Sequence, residues 1–191
     1  NGHEVKIIDT ALNGWDNREF VDLQKNKVMI GQSDKDIMNL IDDFSPDILG
    51  ISVLFSNFLG SAHQIARLAK KVNKNINVIL GGNHISNAVS DYKYSLFNND
   101  SKLPNTIEDL ENNCIDFALI GEGEFSFLSL VEALINNLDV SKVSGLVKKT
   151  GHKKFLINPT ERISDLNILP RPARHLVDME AYFKIGAFHS A

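Results

Sequence analysis

Short apolar runs alternate with amphipathic segments through most of this chain, and the alternation predicts its secondary structure. Three short, mainly apolar runs predict strands: 47–54, 77–80 and 116–120. The first is apolar on both faces, as in parallel strands that helices cover on each side. Apolar residues recur at helical spacing in three other segments: 37–44, 61–72 and 125–135. Because strands and helices alternate, the pattern indicates an α/β domain with a parallel sheet.

The first third of the chain is less regular. Residues 4–9 predict a further strand, and 10–32 predict a long loop. Ser33, with Asp36 three residues later, has the form of a capping box that starts a helix, and Pro46 is expected to stop that helix.

The rest of the chain predicts a loop, a helix, a hairpin and a linker. Positions 87–105 predict an irregular functional loop or insertion, followed by a helix over 106–113. Two apolar stretches separated by turn residues predict a hairpin, 143–149 with 154–158. Proline among charged residues then predicts that 159–191 is a linker behind a domain of residues 1–158.

Small or polar residues follow each of the three apolar strands. Ser52 ends the first, Gly81 and Gly82 end the second, and Gly121-Glu122-Gly123 follows the third. Parallel strands present their carboxyl ends at one edge of the sheet, which is where open α/β sheets bind ligands. The sequence therefore predicts one shared crevice rather than three separate turns.

Composition narrows the classes of function. The chain has 191 residues, 43% of them apolar, and a formal net charge of −4, which offers no basic field for nucleic acid. The single cysteine, Cys114, excludes an internal disulfide and favours the reducing cytoplasm, where it is expected to be structural. No apolar run is long enough to span a bilayer, so no membrane partner is expected.

Four segments in this order resemble the N-terminal cobalamin-binding domain of the B12-dependent radical SAM enzymes: PDILGIS (46–52), GGNH (81–84), DFALIGEGE (116–124) and ISDLNILPRPAR (163–174). The resemblance implies a flavodoxin-like (Rossmann-like), doubly wound parallel sheet whose first strand would precede residue 1, so that the chain is expected to be truncated at its N-terminus. It also implies that the linker leads to a radical SAM barrel in the same full-length chain.

The resemblance also implies which residues would hold cobalamin. Ser52 would lie near the nucleotide base, and Gly81 and Gly82 would let the backbone approach the nucleotide tail. Gly121, Glu122 and Gly123 would line the far side of the cofactor, and Leu54 and Phe55 would contact the corrin face. Val53 and His84 complete the expected set. Plainer interpretations stay open for three of these. A loop histidine such as His84 is more often simply solvated, Glu122 is as readily a helix cap alone, and Ser52 is either a satisfied core hydroxyl or a ligand contact.

The implied cofactors divide between two domains. Cobalamin belongs to this chain, whereas the 4Fe-4S cluster and S-adenosylmethionine belong to the C-terminal domain, because one cysteine cannot supply a Cys-x3-Cys-x2-Cys motif. The Asp-x-His-x-x-Gly motif of other B12 domains is not found either, since Asp9 and Gly14 enclose Ala11 at the histidine place. No metal ligand or catalytic residue is therefore assigned, and the hypothesis is cobalamin without a histidine ligand.

Methyl transfer to carbon or phosphorus is one reaction that the resemblance allows, beside ring formation and rearrangement. One alternative is a flavin- or nucleotide-binding flavodoxin-like domain, although neither Gly-x-Gly-x-x-Gly nor a P-loop lies between a strand and a helix. Another is a non-catalytic cobalamin carrier or receiver-like module. Titration with hydroxocobalamin, FMN and NAD separates these classes.

Overall fold

In the computed structural model, residues 2–22, 27–97, 113–152 and 154–187 are described. The strands are β1 (Arg18–Asp22), β2 (Lys27–Ile30), β3 (Ile48–Ser52), β4 (Asn77–Gly81), β5 (Phe117–Leu119), β6 (Leu146–Gly151) and β7 (Lys154–Ile157). The α-helices are α1 (Asp34–Phe44), α2 (Leu59–Val72), α3 (Asn83–Phe97), α4 (Gly123–Ile135) and α5 (Met179–Ala187).

The chain divides into two compact units. One, the terminal unit, combines Asn1–Leu40 with Asn167–Ala191, and the other, the sheet unit, is Ile41–Leu166. The division predicted at residue 158 stays a prediction. None of the helices within the described ranges combines the length and the apolar character needed to cross a membrane.

A five-stranded sheet in the order β3-β4-β5-β6-β7 forms the sheet unit. Strands β3, β4 and β5 are parallel, while β6 and β7 are antiparallel to their neighbours. The predicted α/β class is confirmed, with the addition that the C-terminal hairpin joins the sheet and makes it mixed. The antiparallel direction follows because the chain is already back at the carboxyl end of β5 before β6 begins, where Ile120 N donates to Gly145 O at 3.0 Å.

Helices cover both faces of this sheet. On one face, Ile85 and Val89 of α3 and Ala62 of α2 are buried in a cluster with Leu80 and Ala118. On the other face, Leu130 of α4 is fully buried in a second cluster that includes Ile79, Phe117 and Leu119. Alternate residues of β4 and β5 thus serve opposite faces, which explains why residues 78–80 and 117–119 are all apolar.

Helix α1 begins and ends as its sequence predicts. The Ser33 hydroxyl accepts a hydrogen bond from Asp36 N at 3.2 Å, and Ser33 N donates to the Asp36 carboxylate at 3.3 Å, so the capping box is formed. The helix ends before Pro46, with Ser45 at a φ of 47°.

The predicted hairpin is also present, as strands β6 and β7.

Two predictions for the first third of the chain were wrong. Residues 4–9 form no strand, and Val5 and Ile7 are 59% and 47% exposed, because an apolar run becomes a strand only where another strand pairs with it. Within the predicted loop over 10–32, β1 and β2 pair antiparallel, with Arg18 opposite Ile30. The pairing partner, rather than the local pattern, decided both outcomes.

The predicted irregular segment over 87–105 was wrong as far as residue 97. Helix α3 covers Asn83–Phe97 without a break. Its buried residues recur at helical spacing: Ile85, Ala88, Val89 and Tyr92. The helical signal was present in the sequence but was outweighed by the polar residues around it. Residues 98–112, which include most of the predicted helix over 106–113, lie outside the described residues.

In the terminal unit, the segment with an Asp9…Gly14 spacing forms a turn. The Asp9 carboxylate accepts hydrogen bonds from Ala11 N at 3.1 Å and Leu12 N at 2.9 Å. Its other oxygen accepts the Tyr182 hydroxyl, a hydrogen bond that raises the pKa of Tyr182. Asp9 is therefore committed to holding this turn and helix α5.

Candidate cofactor site

Strands β3 and β4 end side by side at the carboxyl edge of the sheet. Ser52 lies opposite Gly81 in the parallel register, and Val53 N donates to Gly81 O at 2.8 Å. The Ser52 residue is exposed at this edge, while the Val53 side chain is fully buried. Ser52 is thus placed to meet a ligand, whereas the Val53 N–H and C=O are already bonded to Gly81 and His84.

The two adjacent glycines, Gly81 and Gly82, differ in whether the backbone requires glycine at that position. Gly82 has a φ of +98°, and a Cβ there would lie 2.6 Å from Val53 O. A Cβ on Gly81 would meet nothing nearer than Leu119 O at 3.9 Å. Gly82 is therefore required by the turn itself, and Gly81 is the one that leaves space at the edge.

The third strand end is joined to the second through a side chain that the sequence analysis did not single out. Gly121 N donates to the Ser86 hydroxyl at 3.2 Å, and Ser86 lies in the first turn of α3, directly after β4. This link brings the ends of β4 and β5 together. Ser52, Gly81 and Gly121 therefore lie along one connected edge of the sheet, and the predicted ligand crevice there stays a prediction.

The start of the predicted linker covers part of this third strand end. A Cβ on Gly121 would lie 2.8 Å from Thr160 Cγ2, and Gly121 has a φ of +79°. The Glu122 carboxylate accepts a hydrogen bond from Ile163 N at 2.7 Å. Glu122 occupies the N-cap position of α4 without a side-chain cap hydrogen bond, so its carboxylate holds the linker instead. Gly123 has open space around it.

His84 is buried, so its interpretation as a solvated loop residue was wrong. Its residue is 4% exposed, and its N–H donates to Val53 O at 3.1 Å at the start of α3. Its ring Nδ1 shares a 3.0 Å hydrogen bond with the Ser56 hydroxyl. His84 thus ties α3 to the loop that follows β3.

The loop after β3 carries apolar side chains at the carboxyl edge of the sheet. Leu54, Phe55 and Phe58 are 58%, 64% and 53% exposed, and we name them the apolar loop. A 3-10 turn over Ser56–Phe58 brings the two rings together edge to face, with centroids 6.1 Å apart. The sequence predicted Leu54 and Phe55 at this site; Phe58 was missed, although its spacing of three from Phe55 was a usable signal.

The arrangement suits a wide, flat ligand with a polar fringe. Such a ligand needs apolar surface for its face, close approach to backbone and a few polar groups. The apolar loop supplies apolar surface, Gly81 allows close approach to the backbone, and the Ser52 hydroxyl supplies a polar group at an adjoining position. Among the described residues, no group of three or more His, Cys, Asp or Glu side chains is placed to hold a metal ion.

Comparison with known proteins agrees with this geometry. The B12 binding domain family matches residues 1–96, about half of the chain. The chain therefore belongs to the B12-binding domain family, whose ligand is cobalamin, and the cofactor implied by the sequence motifs is confirmed at the level of the family.

Two curated relatives carry the name of an activity. Cytidylyl-2-hydroxyethylphosphonate methyltransferase from Streptomyces wedmorensis is 30% identical over 99% of this chain and 36% of its own length. An uncharacterised methyltransferase from Pyrococcus horikoshii is 31% identical over 94% of this chain and 32% of its own length. The chain thus spans about a third of the curated relatives it matches.

The fold is also found among solved structures. The cobalamin-dependent S-adenosylmethionine radical enzyme OxsB, in its apo form, matches with a TM-score of 0.52 and 19% identity. The match covers 75% of this chain and 18% of that enzyme. It agrees with the α/β architecture described above.

Proposed function

We propose that this chain is the cobalamin-holding part of a cobalamin-dependent radical SAM methyltransferase. Membership of the B12-binding family and two relatives named as methyltransferases support the proposal. The observation that carries it is the joint placement of Ser52, Gly81 and the apolar loop at one sheet edge. The reducing cytoplasm remains the compartment that we propose for it.

Each part of the edge has a distinct role in this proposal. The exposed Leu54 and Phe55 side chains would contact the corrin face, where their burial would favour binding. Gly81 would let the nucleotide tail approach the backbone, and the Ser52 hydroxyl would hydrogen-bond its polar groups. Gly123, beside the N-terminus of α4, leaves room for the far side of the ligand.

When bound, cobalamin supplies a cobalt centre that carries a methyl group between a donor and an acceptor. The residues of this chain bind and orient it, and a second domain holds the 4Fe-4S cluster and S-adenosylmethionine, since this chain has one cysteine. We further propose that no histidine of the edge ligates the cobalt. His84 is buried and its Nδ1 is engaged with Ser56, which supports this assignment.

Titration of the chain with hydroxocobalamin, followed by the visible spectrum, tests the proposal, with FMN and NAD as competing ligands. We expect cobalamin to be retained through gel filtration, and Phe55→Ala to weaken it about tenfold because an apolar contact is lost. Phe97→Ala is the control, since Phe97 is 87% exposed at the opposite end of α3. Preference for FMN or NAD, or equal losses in both variants, would contradict the proposal.

A further inference from the structure

We infer that the hydrogen bond between His84 and Ser56 is a positioning device for the apolar loop, so that His84 serves the cofactor without touching it. This inference rests on the proposed function, because it assigns a role at the same site. It changes the role predicted for His84 from a ligand contact to a support. Ser56 and Phe58 join the site with it.

The first step is the position of Ser56. It opens the 3-10 turn Ser56–Phe58, and Phe58 N donates to Phe55 O at 3.0 Å. The two phenylalanines therefore flank Ser56 on a single short turn. A contact that holds the Ser56 side chain therefore restrains the short turn that carries both rings.

The second step is the anchor at the other end of the bond. His84 is 4% exposed in the first turn of α3, next to Ile85, which is fully buried in the core. Its backbone N–H is bonded to Val53 O, one residue before the apolar loop begins. The loop is thus held to the rigid part of the sheet unit at Val53 and again at Ser56.

The third step is the cost of leaving the loop unsupported. Three apolar side chains between 53% and 64% exposed have little packing of their own to hold them in place. A ligand that must first order such a loop binds more weakly, because part of the binding free energy is spent on ordering. A preformed loop avoids that loss, which is the advantage that the His84–Ser56 bond provides.

The test compares Ser56→Ala, His84→Leu and His84→Asn in the full chain, with Ser90→Ala on the exposed surface of α3 as the control. Two quantities are measured: chymotrypsin cleavage after Phe55 and Phe58 without ligand, and the hydroxocobalamin dissociation constant. We expect Ser56→Ala and His84→Leu to be cleaved several times faster and to bind about fivefold more weakly, the usual effect of one hydrogen bond. Their double variant should be no worse than either alone, since the two side chains act as one unit.

His84→Asn separates positioning from bulk. The asparagine amide places a polar atom near the position of Nδ1, so this variant should recover most of the affinity and the resistance to cleavage. Ser56→Ala should lower the thermal midpoint of the unliganded protein by only about 3 °C, because it removes one hydrogen bond to the buried His84 ring, and it therefore keeps the test valid if His84→Leu does not fold. Wild-type cleavage and affinity in Ser56→Ala would overturn the inference. If wild type binds no cobalamin, the proposed function fails, and the cleavage comparison still decides whether His84 positions the loop.

Discussion

The two edges of the sheet in the sheet unit use polar residues in opposite ways. At the amino edge, the Asp116 carboxylate accepts hydrogen bonds from Lys70 Nζ at 2.6 Å and from Val78 N at 2.7 Å, and Lys70 Nζ also donates to Ile76 O at 2.6 Å. These groups satisfy one another. At the carboxyl edge, Ser52 and the apolar loop are exposed.

The difference shows where stability and binding are separated in this domain. The amino edge joins helix α2, strand β4 and the start of β5 through a half-buried ion pair, which has the form of a structural clamp. At the carboxyl edge, by contrast, apolar side chains stay exposed and space stays open, and neither contributes to the stability of the fold. Binding sites are commonly built in this way, at a cost in stability that the rest of the fold supports.

The largest effect is expected from a pair of substitutions at adjacent glycines. Gly82→Ala should lower the free energy of unfolding by about 3 kcal/mol, because the residue has a positive φ and its Cβ would overlap the Val53 backbone. Gly81→Ala should change it by less than about 0.5 kcal/mol, since its Cβ would make only an ordinary contact, with Leu119 O at 3.9 Å. Urea denaturation measures both.

The same pair tests which glycine serves the ligand. Gly81→Ala should weaken hydroxocobalamin binding severalfold, because the added methyl occupies space at the edge that the ligand needs. Equal stability of the two variants would show that Gly82 is not required by the turn. Unchanged affinity in Gly81→Ala would show that the space at Gly81 is not used.

A smaller loss of stability is expected at the amino edge. Asp116→Ala should cost about 2 kcal/mol, because it removes the acceptor for Lys70 and leaves the N–H of the fully buried Val78 without that bond. Lys70→Met keeps the apolar stem and leaves the bond to Val78, so about 1 kcal/mol is expected. Thermal or urea unfolding measures both. Cobalamin affinity should not change in either variant; a loss as large as that of Gly81→Ala would break the division between the edges.

The smallest effect concerns the part of the carboxyl edge that the linker covers. Glu122→Ala removes the acceptor for Ile163 N, so the segment around Arg162 should open more often and trypsin should cleave after Arg162 a few times faster. Glu122→Gln retains an acceptor oxygen and should behave like wild type. Glu124→Ala, an exposed acid in the same first turn, is the control. Equal cleavage in all three would mean that Glu122 does not hold the linker.

Much of the sheet unit could be predicted because its signals are local. The runs that became β3, β4 and β5 are mostly apolar, and the helical spacing of Ala62, Ile65 and Ala69 identified α2. Helix α3 was missed in spite of a usable pattern. Strands β1 and β2 could not be found in this way, because a hairpin of four- and five-residue strands is defined by its pairing rather than by periodicity.

The candidate site was predictable to the level of strand ends but not of side-chain roles. That Ser52, Gly81 and Gly121 share an edge follows from the parallel direction of their strands. That Gly82 serves the turn and Glu122 holds the linker depends on Val53 and Ile163. Those partners lie 29 and 41 positions away in sequence, and no local pattern points to them.

The sequence by itself determined the α/β class, the three strand ends that form the carboxyl edge and the resemblance to cobalamin-binding domains, because periodicity and short motifs are properties of neighbouring residues. Only the tertiary structure decided which of those residues are open to a ligand. It buried Val53 and His84, set His84 against Ser56 and turned Glu122 towards the linker. Exposure and hydrogen bonding are fixed by residues distant in sequence, which is the physical reason for the division.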